Sequence, residues 1–252
     1  MLLFKLLKKI AGIFGFKLVD KNLIKNDREL GKYSSFSLDN TLDSLFFDKK
    51  INFLIQIGSN DGKRFDTINR FIKKYSPISI LVEPIKKDFE DLKNNYKDQK
   101  NIFFENSAIS INNSLEYLYK VDDTKFKLYD EHIKGISSFD INHLIKHGVS
   151  KSHITKEKIN SITIKDLLSK YSVKNLDLLV IDAEGYDGDI VIDFLSHISL
   201  RPTIIFEYIH INHKTFKNLI GLLILKKYDF HRIDENIICF PAEIENNKKY
   251  IN

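Results

Sequence analysis

The spacing of apolar residues changes along the chain, and each change marks an element. Near the start, Leu3, Leu6, Leu7, Ile10, Ile13 and Phe14 recur at i, i+3, i+4 and i+7, with Lys5, Lys8 and Lys9 off that face. That pattern predicts a basic amphipathic helix within residues 1–25. Residues 26–50 are polar and mixed, a connector with a helix around 38–47. From Ile51 onward, short continuous apolar runs alternate with segments at helical spacing. INFLIQIG (51–58), SILVEP (79–84), NIFFENSAI (101–109), LDLLVIDAEG (176–185) and RPTIIFEYIH (201–210) read as buried strands with their exits. RFDTINRFIKKYS (64–76), IKKDFEDLKNNYK (85–97), ITIKDLLSKY (162–171), DGDIVIDFLSHI (187–198) and FKNLIGLLILKKY (216–228) read as helices between them. Pro202 opens its strand, where a missing N–H is tolerated. YDFHRIDENIICFPA (228–242) reads as two strands turning at Asp234-Glu235-Asn236.

Continuous apolar strands alternating with helices predict an α/β fold. The expected form is Rossmann-like and doubly wound, a mostly parallel sheet covered on both faces with a C-terminal antiparallel hairpin. The expected domain spans 51–245. Residues 111–160 break the alternation and carry four histidines, His132, His143, His147 and His153. They read as a lid or substrate insertion, with one short hairpin near SLEYLYKVD (114–122).

Composition narrows the function. The chain has 252 residues, 43% of them hydrophobic, enough for one sizeable core. Residues 1–25 hold six lysines and one acid, which accounts for the whole net charge of +5. The remaining body is neutral, which argues against a nucleic-acid partner. The basic leader suits an anionic membrane surface contacted through residues 1–17, or docking on its own domain or on a second subunit in a homo-oligomer. No run of about 18 apolar residues is present. Cys239 is the sole cysteine, so there is no disulfide framework. Together these features suggest a cytoplasmic protein, peripheral at the inner face of the membrane if the leader binds lipid.

In a doubly wound sheet, ligands bind beyond the carboxyl ends of the strands. The first exit, Gly58-Ser59-Asn60-Asp61-Gly62, lacks both G-x-G-x-x-G and the Gly-Lys-Ser/Thr of a phosphate loop. It is poorly made for a pyrophosphate. Glu83 closes the second strand about 25 residues later, where an acid accepts both ribose hydroxyls. A glycine loop and a ribose acid without pyrophosphate glycines suggest an adenosine ligand without phosphates, of which S-adenosylmethionine is the common one.

IQIGSNDG, LVEP, NSAIS, LLVIDAEGYD and PTIIFEY occur in an order and spacing that resembles the FkbM-like methyltransferases, a branch of the Rossmann-like S-adenosylmethionine-dependent enzymes. The resemblance covers about residues 50–210. It implies O-methylation of a hydroxyl, with a sugar in a surface glycan or a lipid-linked glycolipid precursor as the expected acceptor. It also implies that Gly58, Ser59, Asn60, Asp61 and Gly62 wrap the methionine part, with Asp61 facing the ammonium group because Gln56 stands where an acid often lies. Glu83 then holds the ribose, Asn106, Ser107 and Ala108 edge the adenine, and Asp182 sits beside the transferring methyl.

An alcohol is a poor nucleophile, so a base must take its proton. Asp182, Glu184, Glu207, His210 and His132 are the candidates. Asp182, Glu184 and Glu207 leave neighbouring strands and can converge on a divalent cation, though no metal is expected. Glu184 is equally a cap for the helix starting near Gly188. His143 and His147 lie one helical turn apart and could ligate zinc, but the glutamate of a protease motif is absent between them, so the pair reads first as a solvated helix face. Two other classes remain, a nicotinamide-dependent oxidoreductase on the same sheet and an inactive, membrane-docked binding or scaffold protein.

Overall fold

A computed structural model describes residues 37–48, 51–64, 66–112 and 117–242, with the backbone alone at His132 and Lys134. The chain divides into two compact units, Met1–Thr41 and Leu42–Asn252, and the fold belongs to the second. The leader helix expected within 1–25 lies outside the described residues. In chain order the first elements are α1 (Leu38–Asp48), β1 (Phe53–Ile57), α2 (Asn69–Tyr75), β2 (Ile78–Val82), α3 (Lys86–Asn95), β3 (Ile102–Glu105) and β4 (Ala108–Ile109). Then come β5 (Tyr117–Val121), α4 (Glu131–Lys134), β6 (Ser137–Ser138), α5 (Ile141–Lys146), β7 (Ile154–Lys158), β8 (Ser161–Ile162) and α6 (Ile164–Lys170). The last are β9 (Leu178–Ile181), α7 (Asp187–His197), β10 (Thr203–Glu207), α8 (His213–Leu225), β11 (Tyr228–Ile233) and β12 (Asn236–Pro241).

Seven strands form one sheet in the order β11-β12-β10-β9-β1-β2-β3. The five from β10 to β3 run parallel, and β12 runs antiparallel to both β10 and β11. This is the doubly wound sheet with a terminal hairpin that the alternation predicted, and Asp234-Glu235 make its turn. The central strands are apolar on both faces because helices cover both. Leu54, Ile55, Ile80, Leu81, Leu178, Leu179 and Ile204 are fully buried. Each contributes roughly 1.5–3 kcal/mol relative to exposure. Connections from β1 build the sheet one way through β2 and β3, and β9 and β10 build it the other. The order therefore reverses between β1 and β9, and a crevice opens there.

The segment expected as an insertion closes on itself. Its neck is the parallel pair β4·β8, where the Ala108 N–H donates to the Asn160 carbonyl and the Ser110 N–H to that of Ile162. Between them β6, β5 and β7 make an antiparallel sheet. The hairpin expected near 114–122 is a correction among the described residues: β5 pairs antiparallel with β6 and β7, whose residues lie 16 or more positions further along the chain. Local alternation marked the strand, but pairing between distant segments set its partners. The helix expected over 64–76 also starts later, at Asn69, because the Asp66 carboxylate binds the N–H groups of Ile68 and Asn69 and holds the preceding residues in a turn.

One contact fixes the crevice. Gly58 has φ +78° at the exit of β1, and a Cβ added there would lie 1.8 Å from the Asp182 carbonyl oxygen. Only glycine allows both the dihedral and the approach. The replacement Gly58→Ala is expected to destabilise the fold by roughly 3–5 kcal/mol, combining the backbone and overpacking costs. Urea unfolding of the two chains measures it. A change below about 1 kcal/mol would mean that the β1–β9 approach is not tight.

Candidate active site

A cavity of about 540 Å³ lies over the carboxyl ends of β1, β2, β9 and β10. The insertion roofs it with Gly135, Ile136, Ser137, Phe139 and His147. The roof is tied down by the Ser138 hydroxyl, which donates to the Glu184 carbonyl at 3.0 Å, and by the edge-on packing of Phe139 against Tyr186.

At one end, Glu83 is buried and lines the cavity. Its two oxygens accept the Asn60 and Ile85 N–H groups, each at 2.8 Å. The first of these bonds needs Asn60 in a left-handed conformation, φ 46°. Burial still pushes the Glu83 carboxyl up to about 8. Gly58, Ser59, Ser107 and Ala108 line the same end. Gln56 and Asp66 line it too, joined at 3.2 Å through Gln56 Nε2 and Asp66 Oδ1. Gln56 Oε1 and Asp66 Oδ2 are both buried without a hydrogen-bond partner. Two unpartnered acceptors beside a ribose-type carboxylate fit a ligand carrying an ammonium group and a vicinal diol.

Three expected cofactor contacts lie elsewhere. Asp61 does not line this cavity: its Oδ1 accepts the Lys63 and Arg64 N–H groups, and its Oδ2 pairs with Arg64 Nε at 2.6 Å. Gly62 packs against Leu92 and Tyr96, where a Cβ would lie 2.5 Å from each. Asn106 braces the β2 exit by donating to the Glu83 and Pro84 carbonyls. Asp66, which sequence reasoning did not single out, lines the cavity instead. Its sole signal was an acid just ahead of the first helical run.

The other end gathers acids and imidazoles. Asp182 opens onto the cavity, yet protein surrounds it, and burial pushes its carboxyl up to about 6. Glu184 and Glu207 line the cavity, and both are pushed up to about 8, by burial first and by the Asp182 charge second. Glu184 does not cap α7. Its φ is +48°, and its Oε2 meets His143 Nε2 at 3.0 Å. Fully buried Asp187 instead braces the turn, its two oxygens accepting the Ala183 and Gly185 N–H groups at 3.2 Å. His210 lies 3.6 Å from Glu207 through Nε2 and Oε2. Burial and two neighbouring histidines push the His210 imidazole down to about 4. Those neighbours are His143 and His147, which the spacing suggested were a solvated helix face. His143 is instead buried, because the insertion folds α5 down onto the β10 exit. The side chain of His132 lies outside the described residues.

The methyltransferase FkbM domain matches residues 56–243, about three quarters of the chain. The chain belongs to the FkbM methyltransferase family. The FkbM methyltransferase fold is therefore what carries the cavity, and S-adenosylmethionine is the cofactor that the family implies. Among solved structures, the chain is similar to a methyltransferase FkbM from Methylobacillus flagellatus, at 12% identity and a TM-score of 0.44. That likeness covers 75% of this chain and 44% of that one, so the chain spans less than half of the other protein. It is similar also to the fibrillarin pre-rRNA processing protein of Methanococcus jannaschii, at 9% identity and a TM-score of 0.40, over 75% of this chain and 65% of that one. No curated protein matches the chain in sequence. Among the described residues, no helix is long and apolar enough to cross a membrane.

The buried acids dictate a pH response. Glu83 keeps its proton in the folded methyltransferase up to about 8, whereas a free glutamate releases it near 4.5. Asp187 is shifted the same way, by burial and then by the Asp182 charge. The unfolded chain then holds fewer protons across that window, so stability falls as pH rises from about 5 to 8 and levels off above. Chemical unfolding of the ligand-free protein at several pH values should give this slope. Glu83→Gln should flatten it by up to about 1.4 kcal/mol per pH unit. An unchanged slope in that variant would mean that Glu83 is ionised throughout.

Proposed function

We propose that this methyltransferase transfers a methyl group from S-adenosylmethionine to a hydroxyl of a sugar, in a surface glycan or lipid-linked glycan precursor. The observation that carries the reading is a single cavity lined at one end by Glu83, Gln56 and Asp66 and at the other by Asp182, Glu207 and His210. Glu83 suits the ribose hydroxyls, and the unpartnered oxygens of Gln56 and Asp66 suit the ammonium group. Ser107 and Ala108 suit the adenine edge. S-adenosylmethionine, when bound, supplies an electrophilic methyl carbon on a sulfonium centre.

The chain's residues then have two tasks. The first is alignment of the acceptor oxygen with that carbon, since in-line positioning is most of the barrier. The rigid β9 and β10 exits hold Asp182 and Glu207 for it. The second is removal of the hydroxyl proton. Glu207, pushed up to about 8, and His210, neutral at physiological pH, are the acceptors suited to it. The many carboxylate oxygens at this end favour a polyhydroxylated acceptor, which donates to them. The family resemblance supports the same acceptor class.

Titration calorimetry with S-adenosylmethionine tests the donor half. One site is expected, and Glu83→Gln should weaken binding about 10- to 100-fold, the worth of charged hydrogen bonds lost. Ribose donors favour the ionised Glu83, so binding should release a proton and strengthen as pH rises from about 6 to 8, by up to about tenfold per unit. Absence of binding by folded protein would reject the donor assignment. For the acceptor half, methyl transfer from labelled donor to purified cell-envelope glycans is assayed with Glu207→Gln. That variant should lower kcat by roughly 100-fold or more while donor affinity holds. Equal loss of donor affinity would place Glu207 outside the proton-transfer role.

A further inference from the structure

Donor binding and proton transfer leave His143 and His147 without a role, yet both cluster with His210. Their ring centroids are 4.7 Å apart for His143 and His147, 4.6 Å for His143 and His210, and 5.0 Å for His147 and His210. One ligand nitrogen from each lies within 4.8 Å of the other two. The three come from two distant parts of the chain. His143 and His147 sit in and just after α5 of the insertion, and His210 sits after β10. Two carboxylates back the cluster. Glu184 Oε2 lies 3.0 Å from His143 Nε2, and buried Glu207 Oε2 lies 3.6 Å from His210 Nε2 with no hydrogen-bond partner of its own.

Imidazoles gathered this closely are better suited to a shared cation than to one another. With its proton on Nε2 and given to Glu184, His143 presents Nδ1 as a lone pair. A carboxylate behind an imidazole is the arrangement that fixes the tautomer and ring direction of a metal-ligating histidine. We propose that His143, His147 and His210 bind one divalent transition-metal ion, zinc or a similar nitrogen-seeking ion, with Glu184 and Glu207 as positioning residues behind the imidazoles. Three nitrogen ligands leave a fourth position open. His147 and His210 line the cavity, so the proposed ion borders it. The site requires a tetrahedral edge of about 3.3 Å between nitrogens, set by metal–nitrogen bonds of about 2.0–2.1 Å. The nitrogens, now within 4.8 Å of one another, must close to that spacing when the ion binds.

A second ligand set, Glu184, Glu207 and His210, overlaps the first at His210. The three-histidine set is favoured because it uses the Glu184–His143 contact, whereas direct ligation by Glu184 breaks it. In the methyltransferase reading, such an ion lowers the pKa of an acceptor hydroxyl, with His210 as its ligand and Glu207 left to take the proton. Metal binding itself does not depend on that reading.

The test uses the full chain, stripped with a chelator, dialysed and titrated with zinc by calorimetry and with cobalt(II) by visible absorption. One ion per chain is expected, with cobalt bands of nitrogen ligation. His147→Ala and His210→Ala should each weaken binding about 100-fold, while exposed His213→Ala leaves it unchanged. Thermal melts establish that each variant is folded, and His147→Ala stands in if the buried His143→Ala is not. No binding by the folded chain overturns the proposal, and so does binding that His147→Ala leaves intact, which would assign the ion to Glu184, Glu207 and His210. S-adenosylmethionine titrated into the same stripped chain separates the two readings: donor binding with no metal binding removes only the metal site.

Discussion

The approach of Gly58 to the backbone of Asp182 is the constraint on which the site depends. A side chain at Gly58 would occupy the Asp182 carbonyl oxygen. The contact is fastened by the Asp182 N–H donating to Ile57 and by the Gly58 and Ser59 N–H groups donating to Val82. Three strand exits, from β1, β2 and β9, are thereby drawn to one point. Glu83 and Asp182 reach the same cavity because the strands carrying them flank β1 on either side. The glycine serves the scaffold, and its effect on a ligand is indirect.

That convergence has an electrostatic consequence. Glu83, Asp182, Glu184, Asp187 and Glu207 all lie at these exits, and each is shifted up, with burial the largest cause. Such a concentration of acid opposes folding unless something offsets it. Part of the offset is built in: backbone N–H groups cap both oxygens of Glu83 and of Asp187. Glu207 lacks this, since its Oε2 has no partner. The acids nearest the acceptor end are those left with capacity to spare.

The sheet was legible from the chain because its strands are apolar on both faces and its helices keep their period. The strand exits followed from topology alone, which is why Glu83, Asp182 and Glu207 could be named beforehand. What could not be read was direction. Asp61, Gly62 and Asn106 sit in the right loops, yet their side chains, or in Gly62 the missing one, face Arg64, α3 and the Glu83 carbonyl. A one-residue change of direction in a loop has no signature in hydrophobic period. Likewise, the i, i+4 spacing of His143 and His147 said nothing of His210, which joins them only through the folding of the insertion.

The insertion is therefore where the two halves of the site are made to meet, and Glu184 is the joint. Its side chain reaches His143 and its carbonyl takes the Ser138 hydroxyl, so one residue of the sheet's edge holds two elements of the roof. To do both, it adopts φ +48°, a conformation that costs a non-glycine residue about 1 kcal/mol or more. The strain persists because Asp187 over-determines the turn, binding the N–H groups on either side of Glu184 from a fully buried position. Asp187 touches neither the cavity nor the roof, yet it sets where both meet. The Glu83 end of the cavity is thus fixed by the sheet itself, and the Glu184 end by a loop whose shape one buried carboxyl maintains.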